Sequence, residues 1–269
     1  MTTEAPTKRQ RARRIFGFSI LVLLSVSTIA CSSSTTSSTA SDASVSGSLT
    51  VSAASSLQGA FADMKAAFEK AHRGVKVTVN FGASSTLAQQ IIDGAPIDVF
   101  ASADDANMTK VSDAKLLSDA PTLFATNSLE IIVRKGNPSK IASLSDISKP
   151  GLIYVTCAPQ VPIGKYSAQV LQKAGVAVAP ASLEPDVKSI VAKVTAGEAD
   201  AGIVYATDVR ATQGAAEGVV IPTDVNVTAD YPIAAVSTST NRTAAQAWVA
   251  FVRGTEGQAI LKSYGFGSP

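Results

Sequence analysis

Two serine-rich turns, each set where a strand gives way to a helix, are the stretches of this chain best equipped for chemistry. The first runs Leu49-Thr50-Val51, then Ser52-Ala53-Ala54-Ser55-Ser56. Leu57, Ala60, Phe61, Met64, Ala67, Phe68 and Ala71 follow at the three- and four-residue spacing of a core-facing helix. The second is Gly82-Ala83-Ser84-Ser85-Thr86, preceded by the alternating Val75, Val77, Val79 and Phe81 and followed by Leu87, Ala88, Ile91 and Ile92. Hydroxyls at a helix mouth stand beside unpaired backbone N–H groups and the positive end of the macrodipole. Such a mouth can hold an anion without a charged side chain. Taken alone, the first turn has a plainer reading, in which Ser55 or Ser56 merely caps the helix. The repeat of the arrangement favours a shared anion site.

Catalytic chemistry leaves little trace. His72 is the only histidine and sits at a helix end, a poor setting for a base beside a nucleophilic serine. There is no G-x-S-x-G elbow, P-loop, dinucleotide fingerprint or clustered Cys/His metal site. Ser112-Asp113-Ala114-Lys115 fits S-x-x-K without its companion motifs and reads as a solvated helix surface. The function expected is therefore binding rather than catalysis.

The elements that position these turns alternate strand with helix, which implies βαβ units and a layered α/β body. Pro96–Ala101 is a third strand, and a helix runs through Met108 and Val111. Near Thr126-Asn127-Ser128 a second region of the same kind begins, with strands at 129–133 and 152–156. A stiff loop follows over 159–164, then a helix to about Ala174. Asp186 is a good N-cap for a helix whose apolar face is Val187, Ile190, Val191 and Val194, and Gly197 is a good stop. Asp200–Tyr205 is a buried strand ending in a tyrosine, 219–221 is another strand, and 231–236 another. The helices containing Trp248 and Phe251 and spanning 256–264 have no place in the second region. They are expected to return over the first, so that strands near 125–129 and 228–233 link two lobes with a cleft between them. Clefts at such junctions suit small ligands.

Charge argues against nucleic acid. The chain carries a formal +2, of which residues 1–30 supply +4 through Lys8, Arg9, Arg11, Arg13, Arg14 and Glu4, leaving −2 for the remainder. An anion site here must work through local donors rather than long-range attraction.

With these residues in view the chain resembles the molybdate-binding proteins of bacterial ABC uptake systems, within the type II periplasmic binding-protein fold. The resemblance is carried by LTVSAASSL at 49–57, FGASSTLAQQI at 81–91, GAPIDVFASAD at 94–104, VPIGKY at 161–166 and GIVYATD at 202–208. It implies a two-lobed α/β fold with the ligand in the cleft: residues 47–126 with 229–269 form one lobe, and 127–228 the other. It places hydroxyl donors at Ser56, Ser84 and Tyr205 and backbone N–H donors at Ile163 and Val187, with no cofactor and no direct metal ligand. The ligand would be molybdate or tungstate, and the partners an ABC permease and, through it, its ATPase, with the protein acting as a monomer. Ile163 stands where the family often has alanine, and Cys157 where it often has a polar residue. Sulfate or another tetrahedral oxyanion is the alternative ligand, and an exported serine-dependent enzyme the alternative class.

Residues 1–30 read as a signal peptide: a basic start, then the uncharged apolar stretch Ile15–Ala30, short for a membrane span. Thr28-Ile29-Ala30-Cys31 resembles a lipobox, with Thr28 in place of the usual leucine. Cys31 would carry lipid on the extracytoplasmic face of the cell membrane, and the Ser/Thr-rich residues 31–46 would form a tether spanning roughly 20 Å root-mean-square. With Cys31 so used, Cys157 has no disulfide partner within the chain. Cys31→Ser is expected to shift the protein from the membrane fraction to a soluble or uncleaved form. Mass spectrometry that finds no lipid on the wild-type protein would refute the assignment.

Overall fold

The computed structural model describes residues 45–269. The signal peptide, Cys31 and nearly all of the tether expected from the sequence lie outside the described residues. The tether's last residue does not: Ser46 already opens β1 (Ser46–Ala54), because Ser46, Gly47 and Ser48 pair with Gly74, Val75 and Lys76 of β2 (Gly74–Gly82). Strand pairing needs backbone groups only, so an exposed Ser/Gly stretch is recruited without any apolar side chain to announce it.

The first sheet has the order β2-β1-β3-β10-β4, with β3 at Val99–Ala101, β4 at Thr122–Asn127 and β10 at Ala229–Ala235. β1 is parallel to β2 and β3, and their register sets Ala54 opposite Gly82. The two serine turns therefore leave the sheet side by side at one edge. A short 3-10 turn, Ser55–Leu57, leads into α1 (Gln58–Ala71), and α2 (Ser84–Ile92) begins directly after Ala83.

Both faces of this sheet are covered. α1 buries Ala60, Phe61, Met64 and Phe68 against one face. There α7 (Arg242–Arg253) and α8 (Thr255–Tyr264) return to complete the layer, Trp248 meeting Phe61 and Phe68 edge-on at 5.8 and 5.2 Å. α2 and α3 (Asp105–Asp113) cover the other face through Leu87, Ile91, Met108 and Val111, packed on Phe100. The alternation of Val99 and Ala101 against Phe100 sends neighbours in β3 to opposite layers.

The second sheet has the order β7-β6-β8-β5-β9, formed by β5 (Leu129–Arg134), β6 (Tyr154–Cys157), β7 (Ser182–Glu184), β8 (Ala201–Tyr205) and β9 (Ala216–Val220). Around it lie α4 (Pro162–Lys173), α5 (Val187–Ala196) and α6 (Ala206–Ala211). The chain passes from the first sheet to the second at Ser128, between β4 and β5, and returns between β9 and β10.

Purely parallel sheets, the simplest reading of strand–helix alternation, are not what forms. β5 runs antiparallel to β8 and β9, and β10 antiparallel to β3 and β4. The strands that enter each sheet from the other one arrive from the opposite end, so their direction is reversed. β10 is central yet contains Pro232, which has no N–H to give to a ladder. Its register against β4 slips between Tyr231 and Pro232, a bulge that accommodates the missing donor.

The stretch 159–164 is also not a loop to its end. Pro162 is the first residue of α4, where proline's missing N–H costs nothing. Gly164 sits in that first turn so close to β6 that an added Cβ would lie 2.2 Å from the Ala158 carbonyl oxygen and 2.5 Å from that of Cys157. The neighbouring atoms are backbone and cannot swing aside. Gly164→Ala is therefore expected to cost about 1–3 kcal/mol, the range for overpacking. This corresponds to roughly 2–12 °C in Tm for a body of this size. An unchanged melting curve would show that the first turn of α4 is free to lift from β6.

Candidate functional site

Six strands end toward one cleft, and the residues at or just beyond their ends line a small cavity there. From the first sheet come the turn after β1, with Ala54, Ser55 and Ser56, and the turn after β2, with Gly82, Ala83 and Ser84. From the second come Val161, Pro162 and Ile163 at the start of α4, Val187 at the start of α5, and Tyr205 at the end of β8. Small residues line the first side, so backbone can approach the cavity closely. The five residues expected at the site, Ser56, Ser84, Ile163, Val187 and Tyr205, all lie on its wall. Ala103, just past β3, lines it too and was not anticipated. None of the described lining residues is charged, and no group of His, Cys, Asp or Glu able to hold a metal ion occurs among the described residues.

What each wall group offers follows from what it already binds. Neither the 3-10 turn nor α2 has a side-chain cap, so the serines are not spent on their own helices. Ser84 is buried, and its Oγ accepts the Ala103 N–H at 3.0 Å. A backbone N–H can only donate, so the Ser84 hydrogen remains for another acceptor. Ser56 Oγ lies 3.0 Å from the Tyr231 hydroxyl, a contact across 175 positions of sequence. Tyr205 is 2 % exposed, and its hydroxyl has no hydrogen-bond partner among the described residues. Burial raises its pKa well above the ordinary value, with Tyr231 and Tyr166 adding to the shift, so it stays a neutral donor. A buried hydroxyl without a partner costs free energy that a ligand acceptor would restore.

The two backbone donors come from helix starts. Ile163 is the second residue of α4 and Val187 the first of α5, positions whose N–H groups have no intrahelical acceptor. α5 is capped as its sequence suggests: Asp186 Oδ1 accepts the Ser189 N–H at 2.9 Å and the Ser189 hydroxyl at 3.1 Å. The Asp186 carboxylate is thus engaged further into the helix and is not part of the cavity wall.

Three acids flanking the cavity are paired with lysines, whereas Asp186 caps α5. Asp104 Oδ2 receives Lys165 Nζ at 2.6 Å across the cleft, from the turn after β3 to α4. Asp208 Oδ1 receives Lys188 at 2.8 Å, and Glu184 pairs with Lys193 at 2.7 Å. Burial pushes the Asp208 carboxyl upward, against the lowering effect of Lys188. Cys157 is a buried thiol pushed up to about 12 by burial and does not line the cavity. Local pairing leaves the wall without a net charge of either sign, so attraction to an anion rests on hydrogen-bond donors and helix dipoles.

Comparison with known proteins gives one family. Residues 49–267 match the family model for bacterial extracellular solute-binding proteins. A molybdate-binding protein of Mycobacterium tuberculosis is 38 % identical over 93 % of this chain and 96 % of its own length. That of Escherichia coli is 35 % identical over 82 % of this chain and 89 % of its own. Among solved structures, the substrate-binding domain assigned to a molybdenum ABC transporter of Clostridium difficile superposes with a TM-score of 0.62 at 30 % identity, covering 82 % of this chain and 99 % of that one. These relatives are binding proteins, which removes the serine-dependent enzyme from consideration. The chain belongs to the bacterial extracellular solute-binding proteins and, within them, to the ModA family of molybdate-binding proteins.

Proposed function

We propose that this protein captures molybdate outside the cytoplasm, and tungstate with it, and delivers the anion to an ABC permease and its ATPase. The observation that carries the reading is a cavity walled by neutral donors, in which the buried Tyr205 hydroxyl has no acceptor within the described residues. Molybdate at neutral pH is a fully deprotonated tetrahedral dianion, so it asks for donors alone. Ser56, Ser84 and Tyr205 supply hydroxyl hydrogens, and Ile163 and Val187 supply amides. Charge-assisted bonds of this kind are roughly twice as strong as neutral ones. Inside a closed cleft, water competes less for them. Phosphate keeps a proton for much of the time and would reward a buried acceptor, which a wall of this type does not provide without orphaning one of its own hydrogens. Sulfate is smaller and would leave donors unmatched. Tungstate has nearly molybdate's size and would be accepted.

In this reading residues 47–126 and 229–269 form one lobe and 127–228 the other, the anion is enclosed as they close, and the protein works as a monomer held to the membrane by lipid on Cys31. The similarity to named molybdate-binding proteins supports the ligand, and the lipobox-like 28–31 supports the anchor.

Molybdate at 100 times its Kd is expected to stabilise the purified protein by about 2.7 kcal/mol, which raises Tm by roughly 5–10 °C. Equal shifts with sulfate and phosphate at the same concentration, or none with molybdate, would overturn the assignment. Tyr205→Phe and Ser84→Ala each remove a hydrogen bond to a charged group, a contact worth about 1.5–3 kcal/mol. Calorimetry should read losses of about ten- to a hundredfold in molybdate affinity, and unchanged affinity in both would place the anion elsewhere. The amide of Val187 is tested by replacing it with proline. Asp186 is already extended, at φ −155° and ψ 174°, as a residue before proline requires. α4 already begins with Pro162. Val187→Pro should therefore keep the circular dichroism spectrum and bind molybdate at least several-fold more weakly than Val187→Ala, which keeps the donor and loses only packing. Equal affinities for the two variants would show that this amide does not meet the ligand.

A further inference from the structure

Ser56 can serve as a donor only if its hydrogen is not already committed to Tyr231. Either hydroxyl could be the donor in their 3.0 Å contact, so the direction has to come from the groups behind Tyr231. Asn127, the last residue of β4, stands there. Its Oδ1 accepts the Ser128 N–H at 3.0 Å, which sets the orientation of the amide and turns Nδ2 the other way. Nδ2 donates to Thr207 Oγ1 at 2.9 Å and makes a longer approach to the Tyr231 oxygen at 3.5 Å. An amide nitrogen cannot accept, so Tyr231 finds no acceptor in Asn127. Among the described residues Ser56 Oγ is the only hydrogen-bond acceptor within reach of the Tyr231 hydroxyl. The phenolic hydrogen therefore goes to Ser56.

We infer that Tyr231 is a positioning residue for the anion site: held by Asn127, it donates to Ser56 and so aims the Ser56 hydrogen into the cavity. This rests on the reading that Ser56 meets the ligand. The arrangement parallels Ser84, whose oxygen accepts the Ala103 amide and whose hydrogen is thereby released. In both cases the serine oxygen is filled from behind, so its one hydrogen points forward, and donation from behind strengthens the bond it makes in front. A serine held this way presents a donor, which favours an anion that carries no proton of its own. Tyr231 is buried, at 0 % exposure, with its ring edge-on to Tyr205 at 5.7 Å and to Phe266 at 5.5 Å. Burial raises its pKa far above the ordinary range, so the phenol keeps its hydrogen. The chain of bonds also reaches Thr207 in the first turn of α6, two residues beyond Tyr205. The aim of Ser56 is therefore set where the two sheets join.

Tyr231→Phe removes the hydroxyl and keeps the ring, so the aromatic packing is retained. Calorimetry with molybdate on the purified wild-type protein, Tyr231→Phe, Ser56→Ala and the double variant tests the assignment. The expected result is a loss of about three- to tenfold for Tyr231→Phe, a larger one for Ser56→Ala, and a double variant equal to Ser56→Ala within about twofold. That pattern means that Tyr231 acts through Ser56. Melting shifts at millimolar molybdate extend the comparison to variants too weak to titrate. Losses that multiply, with the ligand-free melting point of Tyr231→Phe lowered, would mean a purely structural role and overturn the inference. So would wild-type affinity in Tyr231→Phe. If Ser56→Ala alone binds molybdate like the wild type, Ser56 is not a ligand group. Tyr231 then loses its role while the rest of the anion site is still judged on Tyr205, Ser84 and Val187.

Discussion

An anion held in a closed cleft without a counter-charge depends on hydrogen-bond donors that have nothing else to bind. In the proposed reading, the fold is what leaves such donors free. A donor is free when no acceptor lies within reach, as with the Tyr205 hydroxyl, or when the fold has filled its oxygen from behind, as with Ser84 under the Ala103 amide. Otherwise it must lie where the helix itself offers no acceptor, as with Ile163 and Val187 at the starts of α4 and α5. Charged side chains would bind an anion more strongly in isolation, yet they would also bring desolvation costs and attract any anion of the right sign. Neutral donors fixed in place make geometry the basis of choice.

The fold supplies this by bringing strand ends together. Because β1 and β2 are parallel and in register to Ala54 and Gly82, their following turns meet at one edge. β6, β7 and β8 repeat the arrangement in the second sheet, with β6 parallel to both its neighbours. A parallel strand followed by a helix delivers a helix N-terminus to the same edge each time, so several dipoles converge on the cleft. The reversed strands β5 and β10 do not contribute helix starts. Their part is to carry the chain between sheets, and β10 brings Tyr231 beneath Ser56 as it does so. The pairing of Asp104 with Lys165 then spans the cleft from one side to the other without placing a charge on the cavity wall.

Much of this was legible in the sequence, for reasons that act over short distances. Helical periodicity after Ser56 and after Ser84, the capping aspartate at 186 and the stop at Gly197 are each set within about four residues, the range of a helix hydrogen bond. The structure contains each of them, with Asp186 on the Ser189 amide and Gly197 in the left-handed region at φ 80°. Strand limits were read less well where apolar side chains did not mark them. Pro96–Ala101 shortens to Val99–Ala101, and 152–156 shifts to Tyr154–Cys157, because an apolar run does not reveal where pairing partners begin and end.

The sequence by itself determined the local chemistry: serines at two strand-to-helix turns, a tyrosine closing a buried strand, no histidine placed for catalysis and no charge suited to nucleic acid. Tertiary structure alone decided which hydrogens were left over. The partners that settle it lie far away along the chain, Ala103 at 19 positions from Ser84 and Tyr231 at 175 from Ser56. It also decided that the Tyr205 hydroxyl would be buried with no partner among the described residues, and that Gly164 would stand where no Cβ fits. A side chain's type is a property of its position in the sequence. Its unused valence for hydrogen bonding depends on its neighbours in space, and only the packed fold supplies those.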